Sequence, residues 1–128
     1  GGGRESREVI ADLYVEDHPG GPLFLEIKSP LPNINVCEGA KRSMLYFLAL
    51  MHERGVHPRQ AYLAFPYNPF LTRQAYAHTY TRRVMDMDTE VIMAEEFWDL
   101  IGGAGTYREL LDIVEQISPE IEEHLPTY

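Results

Sequence analysis

Two short runs, "REVIADLYVED" (residues 7–17) and "LFLEIK" (23–28), stand either side of "HPGGP" and constrain the fold of this chain more than any other feature. β-Branched and aromatic residues dominate the runs, and glycine and proline dominate the gap, so the segment predicts an antiparallel hairpin. Side chains alternate across a strand. Setting Asp12 opposite Glu26 places Tyr14 against Phe24 and Ile10 against Lys28, with 17–21 as the loop. One face then holds Ala11, Leu13, Val15, Leu23, Leu25 and Ile27, all apolar. The other holds Ile10, Asp12, Tyr14, Phe24, Glu26 and Lys28. A slip of one residue would carry acids into the apolar face, so the pattern selects one register.

The rest of the chain reads mainly as helices with one further strand. Residues 36–54 repeat apolar side chains at helical spacing (Val36, Ala40, Met44, Phe47, Leu48, Met51), and Gly55 follows where a helix stop is expected. "QAYLAF" (60–65) predicts a third, largely buried strand, whereas 71–94 mixes signals and predicts no definite element. "AEEFWDLIGG" (94–103) predicts a short helix with Trp98 as its core anchor. "TYRELLDIVEQI" (106–117) predicts a helix with Thr106 and Glu109 as a capping box. "SPEIEEHL" (118–125) predicts another, capped by Ser118 with Pro119 at its first position. The order strand–strand–helix–strand–helices predicts a mixed α/β (α+β) sheet covered by helices, in one domain over 1–128.

Charge is distributed unevenly. The net charge is −9, yet residues 54–85 hold five arginines and no acid, while 86–128 hold 12 acids against Arg108 alone. A local field, rather than the sum, steers a phosphate ligand. No apolar run approaches a membrane span, and the opening "GGGRESRE" carries no secretory leader, so the expected setting is the cytoplasm. Cys37 is the single cysteine, which excludes an internal disulfide and a cysteine-rich zinc site. The five histidines show no ligand spacing and are expected to be structural.

The charged hairpin face carries the candidate chemistry. Directly opposed carboxylates repel at such short range, so a cation must compensate. Lys28 is one candidate, and a hard octahedral ion such as Mg²⁺ is the better one. An ordinary exposed Glu–Lys pair is the competing structural reading, against which stand the acid on the partner strand and the aromatic neighbours Tyr14 and Phe24.

Asp12, a turn, and then Glu26-Ile27-Lys28 resemble the D…(D/E)-x-K signature of the PD-(D/E)xK nucleases, with Ala11 where the usual proline would stand. The series "EIKSPLPNIN", "GAKRSML", "FPYNPF" and "EEFWDLIGGAGTYRELLDI" is similar to type II restriction endonucleases of the TdeIII kind over residues 4–117. The resemblance implies a restriction-endonuclease-like core with C-terminal helices. It implies Asp12, Glu26 and Lys28 as catalytic residues, and Asp12, Glu26 and the Ile27 carbonyl as Mg²⁺ ligands. The helix after such a strand often turns a polar residue toward the site, and Lys41, with Arg42 beside it, is the best match. Arg73, Arg82 and Arg83 in the acid-free segment are candidate DNA contacts. The superfamily usually places a helix before the first strand, so an N-terminal helical part is expected to be missing here.

The implied function is Mg²⁺-dependent cleavage of double-stranded DNA by a homodimer. A cognate methyltransferase is expected as a genetic neighbour, not as a bound subunit. A repair or recombination nuclease of the same superfamily, and a non-catalytic binding module of the same fold, are the alternatives. Recognition sequence and cut position do not follow from residue types, because base contacts depend on geometry and DNA distortion.

Overall fold

The computed structural model describes residues 9–124, and the side chains of 12–117. Four strands, β1 (Val9–Val15), β2 (Leu23–Lys28), β3 (Gln60–Phe65) and β4 (Val91–Met93), form one sheet in the order β1-β2-β3-β4. The first pair is antiparallel and the other two are parallel. The helices are α1 (Ile34–Glu53), α2 (Thr79–Val84), α3 (Glu95–Gly102) and α4 (Thr106–His124). This is the mixed sheet with helices expected of a restriction-endonuclease-like fold.

The hairpin has the expected central register: Asp12 pairs with Glu26, Leu13 with Leu25 and Tyr14 with Phe24. Two details differ. Val9, not Ile10, pairs with Lys28, because the register shifts between Val9 and Ala11. An irregularity of this kind bends a strand locally. The loop is also longer than 17–21, since the last pair is Val15 with Leu23. Gly21 takes φ +97°, and a Cβ there would stand 2.1 Å from the Pro58 carbonyl oxygen, so this turn admits only glycine. Arg7 and Glu8 of the expected first strand lie outside the described residues.

Both sheet faces are covered. Phe24, Ala61, Leu63, Phe65, Val91 and Met93 meet Ala40, Met44, Phe47 and Met51 of α1. On the opposite face Leu13, Val15, Leu23, Leu25, Ile27 and Ala64 meet Phe97 and Trp98 of α3. Phe97 is the deeper anchor, at 3% exposure. Trp98 is half-buried and donates its indole N–H to the Pro66 carbonyl at 2.8 Å.

Both ends of α1 follow from local chemistry. The Asn33 side chain accepts from the Val36 amide at 2.8 Å. At the other end Gly55 adopts φ +71°, its amide donates to His52 and the Val56 amide donates to Met51, the double closure of a Schellman motif. The ambiguous stretch 71–94 contains α2 and β4. β4 is only three residues long, too short for periodicity to reveal, and its place comes from pairing with β3.

The C-terminal helices depart from expectation in two ways. Thr106 is the first residue of α4 and not its cap: its hydroxyl donates back to the Gly103 carbonyl at 2.7 Å. The Tyr107 amide is met instead by the Asp99 carboxylate of α3 at 2.9 Å. The break expected at Ser118-Pro119 is absent, and the backbone continues as helix to His124. Leu125 of the expected last helix lies outside the described residues.

Candidate active site

Glu26 and Lys28 leave β2 on the face covered by α1, and this cover makes them inner residues: they are 4% and 5% exposed. The Lys28 ammonium stands 3.2 Å from Glu26 Oε2. Asp12, across the hairpin, is exposed and within hydrogen-bonding reach of Glu26. β1 is an edge strand, so α1 roofs β2 and leaves the Asp12 side open to solvent. The result is an ion pair buried on one side and a second carboxylate at the water boundary.

Burial pushes the Glu26 carboxyl above its ordinary pKa, and the Asp12 carboxyl adds to the shift. The charge and hydrogen bond of Lys28 and a hydrogen bond from Ser43 oppose it. The opposing groups fall short, and with both carboxylates ionised Asp12 and Glu26 set two negative charges against the single ammonium of Lys28.

That imbalance tests the donor set against a hard divalent cation. Two carboxylates at one level of the hairpin, with the Ile27 carbonyl between Glu26 and Lys28, are oxygen donors of the kind Mg²⁺ takes, completed by water. The fit is thus one of chemistry. Among the described residues no group of three or more His, Cys, Asp or Glu is arranged to hold a metal.

The other expected site residues separate. The Lys41 ammonium bonds both oxygens of Glu90 at 2.5 Å, on the flank of α1 that faces β4. Lys41 and Ser43 are about 200° apart round a helix of 3.6 residues per turn, so both cannot face Glu26. Sequence reasoning passed over Ser43. Its signal was positional: it lies next to Met44 of the buried line, on the side facing the hairpin.

Arg73 is occupied internally. Its guanidinium pairs with Glu96 at 2.6 Å and 3.0 Å and donates to the carbonyls of Met87 at 2.6 Å and Val91 at 2.5 Å. It ties the loop after β3 to β4 and α3. Arg42, Arg82 and Arg83 are exposed. The helix that carries Arg82 and Arg83 is held beside the loop that leaves β2. The Tyr76 hydroxyl donates to the Pro30 carbonyl at 2.6 Å and lies 2.9 Å from the Thr81 hydroxyl. His78 Nε2 bonds the Pro32 carbonyl at 2.6 Å. Cys37 is buried beside Thr81, and burial raises its thiol pKa. His18 is also structural: Nδ1 accepts from the Gly20 amide at 3.2 Å, which leaves Nε2 to donate to the Leu100 carbonyl at 3.2 Å.

No helix among the described residues is long and apolar enough to cross a membrane.

Comparison with known proteins agrees with the family type expected from the motifs. The chain is 37% identical over 126 residues to the type II restriction enzyme HgiEI of Herpetosiphon aurantiacus, covering 94% of this chain and 46% of that protein. It is 38% identical over 114 residues to HgiCII of the same organism, covering 88% and 41%. It is 30% identical over 128 residues to MjaII of Methanocaldococcus jannaschii, covering 91% and 34%. The chain therefore spans less than half the length of these relatives. No solved structure matches it significantly. The family described as "Type II restriction endonuclease, HinfI" matches residues 3–118, a different type enzyme from the TdeIII expected, and the chain belongs to this HinfI family of type II restriction endonucleases.

Proposed function

We propose that the chain carries the catalytic centre of a Mg²⁺-dependent, site-specific deoxyribonuclease of a restriction-modification system, built as a PD-(D/E)xK site. The observation that carries the reading is the register pair Asp12–Glu26 joined to the buried Glu26–Lys28 ion pair. Relatives named type II restriction enzymes support the activity. The segments "EIKSPLPNIN", "GAKRSML" and "FPYNPF" would in addition follow a TdeIII-type pattern.

Asp12, Glu26 and the Ile27 carbonyl would hold Mg²⁺, which when bound supplies charge neutralisation at the scissile phosphate. Lys28 would orient the attacking water and donate to the oxygens that gain charge in the pentavalent transition state. Its burial serves this role, because a dry ammonium interacts more strongly with developing charge than a hydrated one. Phosphodiester hydrolysis would leave 5′-phosphate and 3′-hydroxyl ends. Arg82 and Arg83, on the helix held beside the loop after β2, and Arg42 would contact the DNA backbone. Two copies would present two sites to a symmetric duplex.

Supercoiled plasmid with and without Mg²⁺ tests the reading. Cutting should need Mg²⁺ and fall at least about 100-fold in Asp12→Ala and Lys28→Ala. Undiminished cutting by either variant refutes the site.

A further inference from the structure

We propose that Tyr76 and His78 are positioning residues for Lys28: their side chains grip the two proline carbonyls that follow it and so fix the end of β2 from which it projects. The inference rests on the reading of Lys28 as a catalytic residue.

Lys28 is the last residue of β2, and among the described residues the sheet grips it on one side only. The ladder to β3 ends one residue earlier, at Ile27 with Ala64. On the other side its partner is Val9 of the edge strand, where the register begins to shift. The segment that follows must therefore help to fix it. Ser29 is exposed, whereas Pro30 and Pro32 are buried. A proline has no backbone N–H, so its carbonyl is its one hydrogen-bonding group. Both carbonyls are held from one short segment: the Tyr76 phenol donates to that of Pro30 at 2.6 Å, and His78 Nε2 bonds that of Pro32 at 2.6 Å. A carbonyl only accepts, so Nε2 carries the imidazole proton.

The phenol is itself firmly placed. Tyr76 is 2% exposed, and its ring packs on Phe65 of β3 and on Phe70, with centroids 5.5 Å and 5.2 Å away. Phe65 stands one residue past the last β3 partner of β2, so Tyr76 makes the link between the two strand ends that the ladder does not. Its proton is committed to Pro30, and the buried Thr81 hydroxyl at 2.9 Å therefore donates to the phenol oxygen. A buried chain of hydrogen bonds thus runs from α2 through Tyr76 to the loop behind Lys28, where a low dielectric strengthens each link. Catalysis is sensitive to such placement: a shift of about 1 Å transmitted from outside the site can cost on the order of 100-fold in rate. The loss should fall on turnover and not on DNA affinity, because Arg82 and Arg83 stay exposed on α2.

Steady-state cutting of supercoiled plasmid by the intact chain with Mg²⁺ tests this, at a temperature where thermal melts show every variant folded. kcat should fall about tenfold in Tyr76→Phe and in His78→Ala, and about 100-fold in the double variant, with KM within about threefold of wild type. His78→Gln, which returns an amide N–H near the position of Nε2, should restore kcat to within about threefold. His18→Ala takes an imidazole from the Leu100 carbonyl near the other end of β2; it should leave kcat unchanged and so controls for general loosening. A metal-free crystal structure of the double variant should show the Lys28 ammonium displaced from its 3.2 Å contact with Glu26. Wild-type kcat in Tyr76→Phe or His78→Ala, a loss that appears in KM instead, no rescue by His78→Gln, or an equal loss in His18→Ala overturns the inference and leaves the Asp12–Glu26–Lys28 site standing. Undiminished cutting by Lys28→Ala, or no cutting by wild type, overturns both.

Discussion

Replacing Asp12 with Asn should stabilise the metal-free protein and destabilise the metal-loaded one relative to wild type. Asp12 and Glu26 are register partners on one hairpin face. Like charges so placed cost up to about 1 kcal/mol, and the exposure of Asp12 moderates the cost through solvent screening. Asn removes the repulsion and lets an amide N–H donate to Glu26, for a gain of about 0.5–1 kcal/mol. For a domain of this size that shifts Tm by roughly 2–6 °C. The sign depends on pH. The folded state holds the Glu26 proton more tightly than an ordinary glutamate of pKa 4.5, so wild type loses stability as pH rises from there through the folded value. Asp12→Asn relieves part of that loss, so its advantage appears above this window and vanishes below it. Mg²⁺ should reverse the order: at a free concentration ten times Kd it adds about 1.4 kcal/mol to wild type, and little to a variant with one carboxylate. Thermal melts in chelator and in Mg²⁺, each at neutral and acidic pH, measure all of this. Asp12→Asn melting below wild type in chelator, or keeping its lead in saturating Mg²⁺, refutes the reasoning.

Arg73→Ala should cost about 2–3 kcal/mol in urea unfolding, because Glu96 and the Met87 and Val91 carbonyls lose their donor. Its DNA affinity at a temperature where it stays folded should be unchanged. Arg82→Ala and Arg83→Ala should leave the melt alone and each reduce the salt slope of DNA binding by about 1. Tyr76→Phe should cost about 1–2 kcal/mol, since the Pro30 carbonyl is left buried without its donor. Burial pushes the Tyr76 phenol up to about 12, so wild type should lose stability as pH rises from 10 toward that value. Tyr76→Phe should flatten this loss, as read by melts across the alkaline range. Cys37 should resist an aromatic disulfide reagent until the protein unfolds, because it is buried and its thiol pKa is raised.

The hairpin register was legible in the chain because two alternating faces of opposite polarity admit one pairing. The same reasoning brought Asp12, Glu26 and Lys28 to one face, and helical spacing with Gly55 as a stop marked α1 almost to its ends. Three features were beyond it. β4 is too short for a periodic signal, and ladder bonds from β3 hold it in place. The run of arginines in 54–85 reads as a cationic strip only while its partners are unknown; Glu96, remote in sequence, turns Arg73 inward. Thr106 and Pro119 carry the letters of helix starts, yet the Asp99 carboxylate met the Tyr107 amide and the backbone continued through Pro119.

By itself, then, the sequence determined the charged face of the hairpin, its apolar reverse and the helix that follows. Only the tertiary structure decided which flank of that helix looks at Glu26. Lys41 and Ser43 are both polar and only two residues apart, but they diverge round the helix. Packing of Met44 and Phe47 on the sheet sets the rotation that delivers Lys41 to Glu90 and leaves Ser43 on the groove shared with Phe24 of the hairpin. Burial was decided there too, because an edge strand leaves Asp12 in water while α1 closes over Glu26 and Lys28.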